Sequence, residues 1–521
     1  MRASYLVLSM IWAAPAFGQV MPTDDPIIKK IWDEGMQRSQ AMSLMQVLSD
    51  SIGPRLTGTP GIKRGNDWLV ATYQKWGVKA RNEQYGTWVG WRRGVTHVDL
   101  VQPRVRSLEG TMLAWSGGTG GKPVDAPTIL LPDLADSDAF NAWLPNVRGK
   151  YVLVSYAQPT CRPDSAFKAF ATPETWKSMT NDRQAAIQFW QARLTKTGQT
   201  NRVLPLRLEA AGARGVVQSN WSNGWGVNKI FNARARTIPT VDLSCEDYGL
   251  VYRLTEQGQN PVLRITADAE FTGDETPVFN TIAEIRGSEK PNEYVMLSAH
   301  FDSWDGASGS TDNGTGTVTM LEALRILRQT YPNPKRTILV GHWSGEEQGL
   351  NGSRAFSEDH PEVVSGLQAL FNQDNGTGRI ANFGASGLVN VGQYLGKWMS
   401  RIPTEITRHI TLGVPGQPAG GGSDNASFIC YGAPGLGLGS LSWEYGTYTW
   451  HTNRDTYDKV VADELKNNAV LTAMLVYLAS EEPDKLPREK RVMPMNPQNP
   501  EQQSKWPDCV KAVRKIADWQ R

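Results

Sequence analysis

Five side chains in the second half of the chain are of the types that bind zinc, and each follows an apolar run or lies in a loop. They are His300, Asp312, Glu347, Asp374 and His451. Zinc binds histidine nitrogen and carboxylate oxygen. A hydrolase with two metal ions needs one carboxylate that bridges the ions and another that takes a proton from water. The five residues predict such a metal site, and Glu346 is left over for the proton.

The other histidines and Asp302 have different expected roles. Asp302 follows His300 by two residues and could hold the second nitrogen of its imidazole. Four further histidines are expected to be structural or exposed: His97, His342, His360 and His409. His342 lies within an apolar run, so we expect it to pack beneath the site.

The segments around these residues predict an α/β fold. The apolar runs Tyr294–Ala299 and Thr337–Trp343 have the length of buried strands, and each is followed by candidate ligands. Apolar residues between the two runs recur at helical spacing, at Val318, Leu321, Leu324 and Leu327. Functional groups in an open parallel sheet gather beyond the carboxyl ends of its strands. We therefore predict a mixed, mostly parallel central sheet with helices on both faces.

Composition narrows the class of protein. The chain has 521 residues, with 54 basic and 52 acidic side chains and a formal net charge of +2. This balance provides no basic surface for nucleic acid or for an anionic membrane. After the first residues, no stretch reaches the roughly 18 consecutive apolar residues of a membrane span. We expect a protein without nucleic-acid or membrane partners.

The first residues predict export. Arg2 precedes an apolar run from Tyr5 to Ala14, and small residues follow up to Gly18. This pattern is typical of a secretory signal peptide cleaved near Gly18. The mature protein is then expected in the periplasm or outside the cell.

Four cysteines occur, and none forms a CxxC motif, which excludes a zinc finger with thiolate ligands. An exported protein could pair some of them, for example Cys161 with Cys245. Cys430 lies in an apolar context and is expected to be a buried free thiol. The pairing, including any role of Cys509, stays open.

Several motifs together resemble one known family, the dizinc exopeptidases, which includes bacterial leucyl aminopeptidase, glutamate carboxypeptidase and carboxypeptidase Q. The motifs are His300-Phe301-Asp302, Asp312-Asn313-Gly314, Glu346-Glu347, Asp374 and His451-Thr452. The resemblance implies a zinc-dependent metallopeptidase that acts on peptides with two Zn²⁺ ions. It also implies a possible homodimer.

The resemblance also implies a role for each residue of the site. Asp312 would bridge the two zinc ions. His300 and Asp374 would complete one ion, and Glu347 and His451 the other. Glu346 would act as general base toward water and then as general acid toward the leaving amine, with Asp302 beside it in the catalytic site.

Substrate contacts are implied more weakly. Ser423, Asp424 and Tyr448 lie in loops that border the pocket in relatives, although Asn425 replaces the histidine often found there. Aromatic residues nearby could line a hydrophobic subsite: Trp443, Tyr445, Tyr448 and Trp450. The choice between aminopeptidase, carboxypeptidase and dipeptidase stays open.

Changes in the sequence pattern along the chain, together with the resemblance, predict five segments. They are a signal peptide (1–18), an N-terminal part of the peptidase domain (19–120), an inserted β-rich domain like the protease-associated domain (121–273), the zinc peptidase core (274–485) and a C-terminal tail (486–521). Helices are expected at Asp25–Ser51, from about 61 to 76, and at Pro173–Lys196.

Other functions remain possible on the sequence. A binding protein like the transferrin receptor shares the architecture but does not need a free carboxylate such as Glu346. An acyltransferase like glutaminyl cyclase shares the core but uses one zinc ion and has no inserted domain. A periplasmic transport or scaffold protein would leave the carboxylate cluster unexplained.

Overall fold

The structure is a computed structural model, and it describes residues 23–515. The predicted signal peptide and its cleavage site near Gly18 lie outside the described residues. Within them, no helix is both long enough and apolar enough to cross a bilayer.

The described strands are, in chain order, β1 (Lys79–Gln102), β2 (Arg106–Leu108), β3 (Gly110–Met112), β4 (Val124–Leu130), β5 (Tyr151–Leu153), β6 (Gly215–Gln218), β7 (Trp221–Gly224), β8 (Val227–Asn228), β9 (Thr240–Leu243), β10 (Val262–Ile285), β11 (Lys290–His300), β12 (Arg336–Trp343), β13 (Leu367–Gln373), β14 (Ile380–Gly384), β15 (Thr411–Gly413), β16 (Gly435–Ser440), β17 (Met495–Asn496) and β18 (Asn499–Gln503). The α-helices are α1 (Pro26–Trp32), α2 (Ala41–Gln46), α3 (Pro60–Lys75), α4 (Ser137–Trp143), α5 (Asp164–Phe170), α6 (Pro173–Lys196), α7 (Leu204–Ala210), α8 (Cys245–Glu256), α9 (Thr315–Thr330), α10 (Asn351–Asp359), α11 (Pro361–Gly366), α12 (Val391–Met399), α13 (Thr404–Thr407), α14 (Ala426–Ile429), α15 (Tyr445–Tyr448) and α16 (Ala462–Glu481). Shorter helical turns lie at Asp33–Gln37, Val47–Ile52, Leu144–Val147, Ser310–Gly314 and Tyr457–Lys459.

The centre of the sheet is β11, which pairs in parallel with β12 on one side and β13 on the other. β13 continues in parallel to β16, whereas β14 and β10 join as antiparallel neighbours. All residues of β12 and β13 are buried. Such burial is expected of parallel strands covered by helices on both faces. The predicted mixed, mostly parallel sheet is therefore confirmed.

A second group of strands extends the sheet beyond β10. β4, β5, β6 and β9 pair in parallel, and β4 also pairs antiparallel with the first residues of β10. The long strands β1 and β10 pair along their length, from Lys79 opposite Glu284 to Gln102 opposite Val262. The range 121–273 thus contributes a parallel group of strands that continues the sheet, and its likeness to a protease-associated domain stays a prediction.

The helices cover the sheet and differ from expectation at one place. The expected helices near 61–76 and at Pro173–Lys196 are α3 and α6. The single helix expected over Asp25–Ser51 is interrupted between Arg38 and Gln40. The backbone N–H of Gln40 donates to the carboxylate of Glu322 (2.9 Å), and Arg325 donates to the carbonyl of Arg38 (3.2 Å). At the break, these two buried side chains of α9 form hydrogen bonds with backbone groups of Arg38 and Gln40.

Both cysteine pairs are disulfides. Cys161 pairs with Cys245, and Cys430 pairs with Cys509. The expectation of a free thiol at Cys430 was wrong, because the tail returns to the core and brings Cys509 to it. There the backbone N–H of Val513 donates to the side chain of Asn351 (2.9 Å).

Candidate metal centre

The predicted ligands lie at the carboxyl ends of neighbouring strands. His300 is the last residue of β11, Asp374 directly follows β13, and Glu347 follows β12. Asp312 lies in the turn before α9, and His451 lies in the loop after α15. Because parallel strands end at the same edge of the sheet, residues far apart in sequence meet there.

One group of ligands gathers around His300. Its Nε2 atom lies 3.2 Å from Oδ1 of Asp374 and 3.4 Å from Oδ1 of Asp312. The ligand atoms of these three residues all lie within 4.8 Å of one another. The group therefore has the dimensions of a site for one cation.

The second group gathers around His451 and shares Asp312. The Nε2 atom of His451 lies 2.8 Å from Oε2 of Glu347 and 3.2 Å from Oδ2 of Asp312. These three ligand atoms also lie within 4.8 Å of one another. Asp312 thus offers one oxygen to each group, which is the geometry that a bridging carboxylate requires.

The electrostatics of the site fit bound cations. Four carboxyl groups, those of Asp312, Glu346, Glu347 and Asp374, surround two imidazoles. Within residues 23–515 the buried Oε1 atom of Glu347 has no hydrogen-bond partner. Burial, together with the charge of Asp312, raises the pKa of Glu347 well above its usual value. Burial opposes a charge on His300, but the carboxylates of Asp374 and Glu346 outweigh it and raise the pKa of the imidazole. A divalent cation would neutralise this excess of negative charge.

Glu346 belongs to neither group. Its Oε2 atom lies 4.0 Å from Nε2 of His300, beside the first group. Burial raises the pKa of Glu346 well above its usual value, and the nearby charge of His300 opposes this only in part. The carboxyl group therefore lies next to the candidate ligands without being one of them.

Asp302 holds His300 with its backbone carbonyl and holds the loop after β12 with its carboxylate. The Nδ1–H of His300 donates to the carbonyl oxygen of Asp302 (3.0 Å), whereas the carboxylate of Asp302 is 3.7 Å away. That carboxylate accepts the backbone N–H groups of Glu346 and Glu347, both at 3.2 Å. The expected contact of Asp302 with the imidazole thus exists, but the closest atom is the carbonyl.

Two buried residues that the sequence did not single out hold the turn that carries Asp312. Asp455 accepts the backbone N–H groups of Thr311 (2.8 Å) and Asp312 (2.9 Å). Burial raises the pKa of Asp455 to about 7. The fully buried Arg55 donates to the carbonyl oxygens of Phe301 (2.7 Å) and Gly309 (2.8 Å). The sequence around Asp455 and Arg55 does not indicate these contacts, because their partners are far away in the chain.

The expected substrate residues Ser423 and Asp424 lie beside the strand that precedes Asp374. The hydroxyl of Ser423 accepts a hydrogen bond from the side chain of Asn372 (2.8 Å). Asp424 is completely buried, and burial raises its pKa to about 7. The charge of Asp424 contributes to the raised pKa of Glu346, so the two carboxyl groups lie near each other.

Tyr448 and three other aromatic residues line a cavity of about 500 Å³ next to the site. Trp443 and Tyr445 line it from the same loop, and Trp225 lines it from the connection between β7 and β8. Tyr448 packs closely on the β7–β8 segment, because a Cβ atom on Gly224 would lie 2.7 Å from its ring. Trp450 does not line this cavity and instead stacks on His451, with ring centroids 4.0 Å apart.

The remaining histidines lie outside both groups. His342 in β12 is buried and contacts the hydroxyl of Tyr73 (2.7 Å), and burial lowers its pKa to about 3. His360 contacts Glu83 (2.6 Å), while His97 and His409 are exposed.

Comparison with known proteins gives consistent results. Residues 280–476 match the model of peptidase family M28. Carboxypeptidase Q from Rattus norvegicus is 24% identical over 455 residues, which cover 87% of this chain and 88% of that protein. A glutamate carboxypeptidase 2 homolog from Caenorhabditis briggsae is 31% identical over 205 residues, which cover 34% of this chain and 25% of that protein.

Solved structures share the fold. A peptidase M28 precursor from Shewanella amazonensis aligns with a TM-score of 0.63 and 21% identity, over 88% of this chain and 97% of that one. BSAP, a zinc aminopeptidase from Bacillus subtilis, aligns with a TM-score of 0.54 and 20% identity, over 86% of this chain and 96% of that one. Residues 280–476 therefore match peptidase family M28, and the predicted resemblance to the zinc exopeptidases and the prediction of a metallopeptidase are confirmed.

Proposed function

We propose that this metallopeptidase is an exported dinuclear zinc exopeptidase that hydrolyses short peptides, with Glu346 as general acid and base. One observation carries the proposal: two groups of three ligands share Asp312, while Glu346 lies beside them outside both groups. In this proposal His300, Asp312 and Asp374 hold one ion, and Asp312, Glu347 and His451 hold the other.

When bound, two zinc ions lower the pKa of water from about 15.7 toward about 7 and stabilise negative charge on a carbonyl oxygen. The proton transfers are then made by a side chain of the protein. Glu346, as a carboxylate, accepts the proton of the attacking water and then donates it to the leaving amine nitrogen.

The substrate side chain is proposed to enter the cavity formed by Trp225, Trp443, Tyr445 and Tyr448. These four aromatic rings share the wall with polar residues such as Thr311 and Thr377, and a large apolar side chain could pack against the rings. The half-buried Ser423 is proposed to contact the peptide near the bond that is cleaved. The buried Asp424 is proposed to act on the same place through its charge, which affects Glu346.

Export is proposed from the signal-like residues 1–18 and from the two disulfides. Disulfides persist in oxidising compartments such as the periplasm and the extracellular space. All four cysteines of the chain are paired, as is usual for exported proteins. A homodimer, as implied by the resemblance to the family, is also part of this proposal.

The central test is Glu346→Gln, with Glu256→Gln as matched control because Glu256 is exposed on α8. Both variants and the wild type are assayed on free dipeptides, amino-blocked peptides and carboxy-blocked peptides, and their zinc content is measured. Glu346→Gln should keep about two zinc ions per chain and lose roughly 10²–10⁴-fold in kcat, since general acid–base catalysis contributes that much. The control should keep full activity.

Three outcomes would contradict the proposal. Equal hydrolysis by Glu346→Gln and the wild type would remove the catalytic role of Glu346. Two bound zinc ions without hydrolysis of any peptide would favour a binding protein. A single zinc ion with acyl transfer would favour a chemistry like that of glutaminyl cyclase.

A further inference from the structure

The two histidines of the candidate site are held by different kinds of contact. The Nδ1–H of His300 donates to a carbonyl oxygen, which leaves Nε2 free to face a metal ion. The Nδ1 atom of His451 is buried and has no hydrogen-bond partner among the described residues. Histidine ligands nearly always donate this N–H to a carboxylate, a carbonyl or water, and the partner fixes the ring. The described contacts of the His451 ring are therefore aromatic ones, and they are the candidates for what orients it.

Aromatic rings surround His451 instead. The indole of Trp450 stacks on it with centroids 4.0 Å apart and an angle of 24° between the planes. Phe231 meets it edge-on at 5.2 Å, and Trp304 does so at 6.1 Å. The stacked ring of Trp450 fixes the plane of the imidazole, and the two edges limit its rotation.

Lys229 holds Trp450 in this position. Its ammonium lies 4.5 Å from the centroid of the indole, within the range of a cation–π contact. The same ammonium donates to the carbonyl oxygens of Trp450 (2.6 Å) and Gly446 (2.7 Å). Lys229 therefore binds both the ring and the backbone of the residue that stacks on His451.

The backbone next to Lys229 pairs with the loop of His451. The N–H of Ile230 donates to the carbonyl of His451 (2.7 Å), and the N–H of Asn453 donates to the carbonyl of Asn228 (3.0 Å). Asn228 ends β8, the second strand of the β7–β8 hairpin. The hairpin thus runs alongside the candidate ligand, although the two are more than 200 residues apart in sequence.

We propose that Lys229 is a positioning residue for the metal site: it clamps Trp450 against His451 and so sets the orientation of the second imidazole. The inference rests on the proposed function, because it takes His451 as a zinc ligand. Residues that orient a ligand from behind contribute about 10- to 100-fold to metal affinity or activity. Only the ion held by Glu347 and His451 should depend on Lys229.

The test measures stepwise zinc affinity by competition with a chelator. Lys229→Met keeps the length of the side chain and removes its charge, Lys229→Arg keeps a cation that can donate to both carbonyls, and Lys177→Met is the exposed control. Lys229→Met should weaken one of the two zinc ions by about 10- to 100-fold and leave the other unchanged. Lys229→Arg should recover most of the loss, and the control should match the wild type.

Combining Lys229→Met with a second substitution identifies which zinc ion is affected. In Asp374→Asn the group around His300 is weakened, and the zinc that remains should still respond to Lys229→Met. In Glu347→Gln the group around His451 is weakened, and the remaining zinc should bind equally with and without Lys229→Met. The opposite pattern, or wild-type affinity for both ions in Lys229→Met, would overturn the inference.

Failure of the clamp and failure of the proposed function give different results. Wild-type protein that binds zinc in neither group would overturn the proposed function and the inference with it. If Lys229→Met does not fold, Trp450→Leu decides, because it removes the stacked ring and keeps the backbone carbonyl that Lys229 binds. The same selective loss of one zinc would support the clamp, and unchanged binding would overturn it.

Discussion

Asp312 offers its two carboxylate oxygens to two different imidazoles, at 3.4 Å to His300 and 3.2 Å to His451. Its backbone N–H is held by Asp455, and the carbonyl of Gly309 at the same turn is held by Arg55. A side chain fixed in this way loses little freedom when cations bind, so its position favours affinity. Asp374 contacts only the group around His300 and lacks this shared role.

This difference leads to a prediction for two matched variants. Asp312→Asn removes a ligand from both groups and should abolish binding of both zinc ions at micromolar concentration. Asp374→Asn removes a ligand from one group and should leave about one zinc ion per chain. Metal analysis after dialysis checks this, and two ions retained by Asp312→Asn would contradict the bridging role.

At the scale of elements, the β7–β8 hairpin depends on a buried acid. Asp242 at β9 accepts the side-chain N–H of Gln218 (3.0 Å) and the backbone N–H of Asn220 (3.1 Å). It also accepts a hydrogen bond from the side chain of Asn228, the residue before Lys229. Burial raises the pKa of Asp242 to about 6.

The raised pKa of Asp242 predicts a pH dependence of stability. The folded protein keeps this proton up to about pH 6, whereas an unfolded chain releases it near pH 3.8. The folded state binds more protons between these values, so the free energy of unfolding should fall by up to about 3 kcal/mol as pH rises from about 4 to 6. Asp242→Asn should flatten this slope in thermal unfolding of metal-free protein. The exposed control Asp138→Asn should keep the slope.

Elements with strong local patterns could be predicted from the sequence, and contacts between distant segments could not. The apolar runs before His300 and Glu346 predicted β11 and β12, and the helix expected at Pro173–Lys196 is α6. The break in the first helix depends on Glu322, and the support of His451 depends on Lys229. Both depend on pairings across roughly 220–280 positions, which periodicity in a short window does not report. Cys430 was misread for the same reason.

At the scale of the whole molecule, the tail is tied to the peptidase core. Cys509 is joined to Cys430, and beyond it the backbone N–H of Ala512 donates to Glu358 (2.9 Å). The N–H of Thr87 in β1 donates to the carbonyl of Arg514 (2.8 Å). The last described residues therefore contact both β1 and α10.

Removal of this disulfide should lower stability without loss of the metal site. The two cysteines are 79 positions apart, and constraints of this length contribute about 2–4 kcal/mol through the entropy of the unfolded chain. The double variant Cys430→Ser/Cys509→Ser should therefore melt at a lower temperature and keep its zinc content and kcat. An unchanged melting temperature would contradict the prediction, and loss of zinc would show that the tail also supports the site.

The pairing of β1 with β10 has a consequence for how the chain could be divided. Residues 280–476, which match the family model, begin inside β10. The strand hydrogen-bonded to β10 is β1, which lies about 200 positions earlier in the chain. The backbone partner of His451 is also outside that range, at Ile230. The segment before residue 280 therefore shares backbone hydrogen bonds with residues 280–476, and we expect that it cannot be replaced on its own by the matching segment of a relative. A chimera that takes it from a relative would need residues 228–231 and 450–453 to be transplanted together.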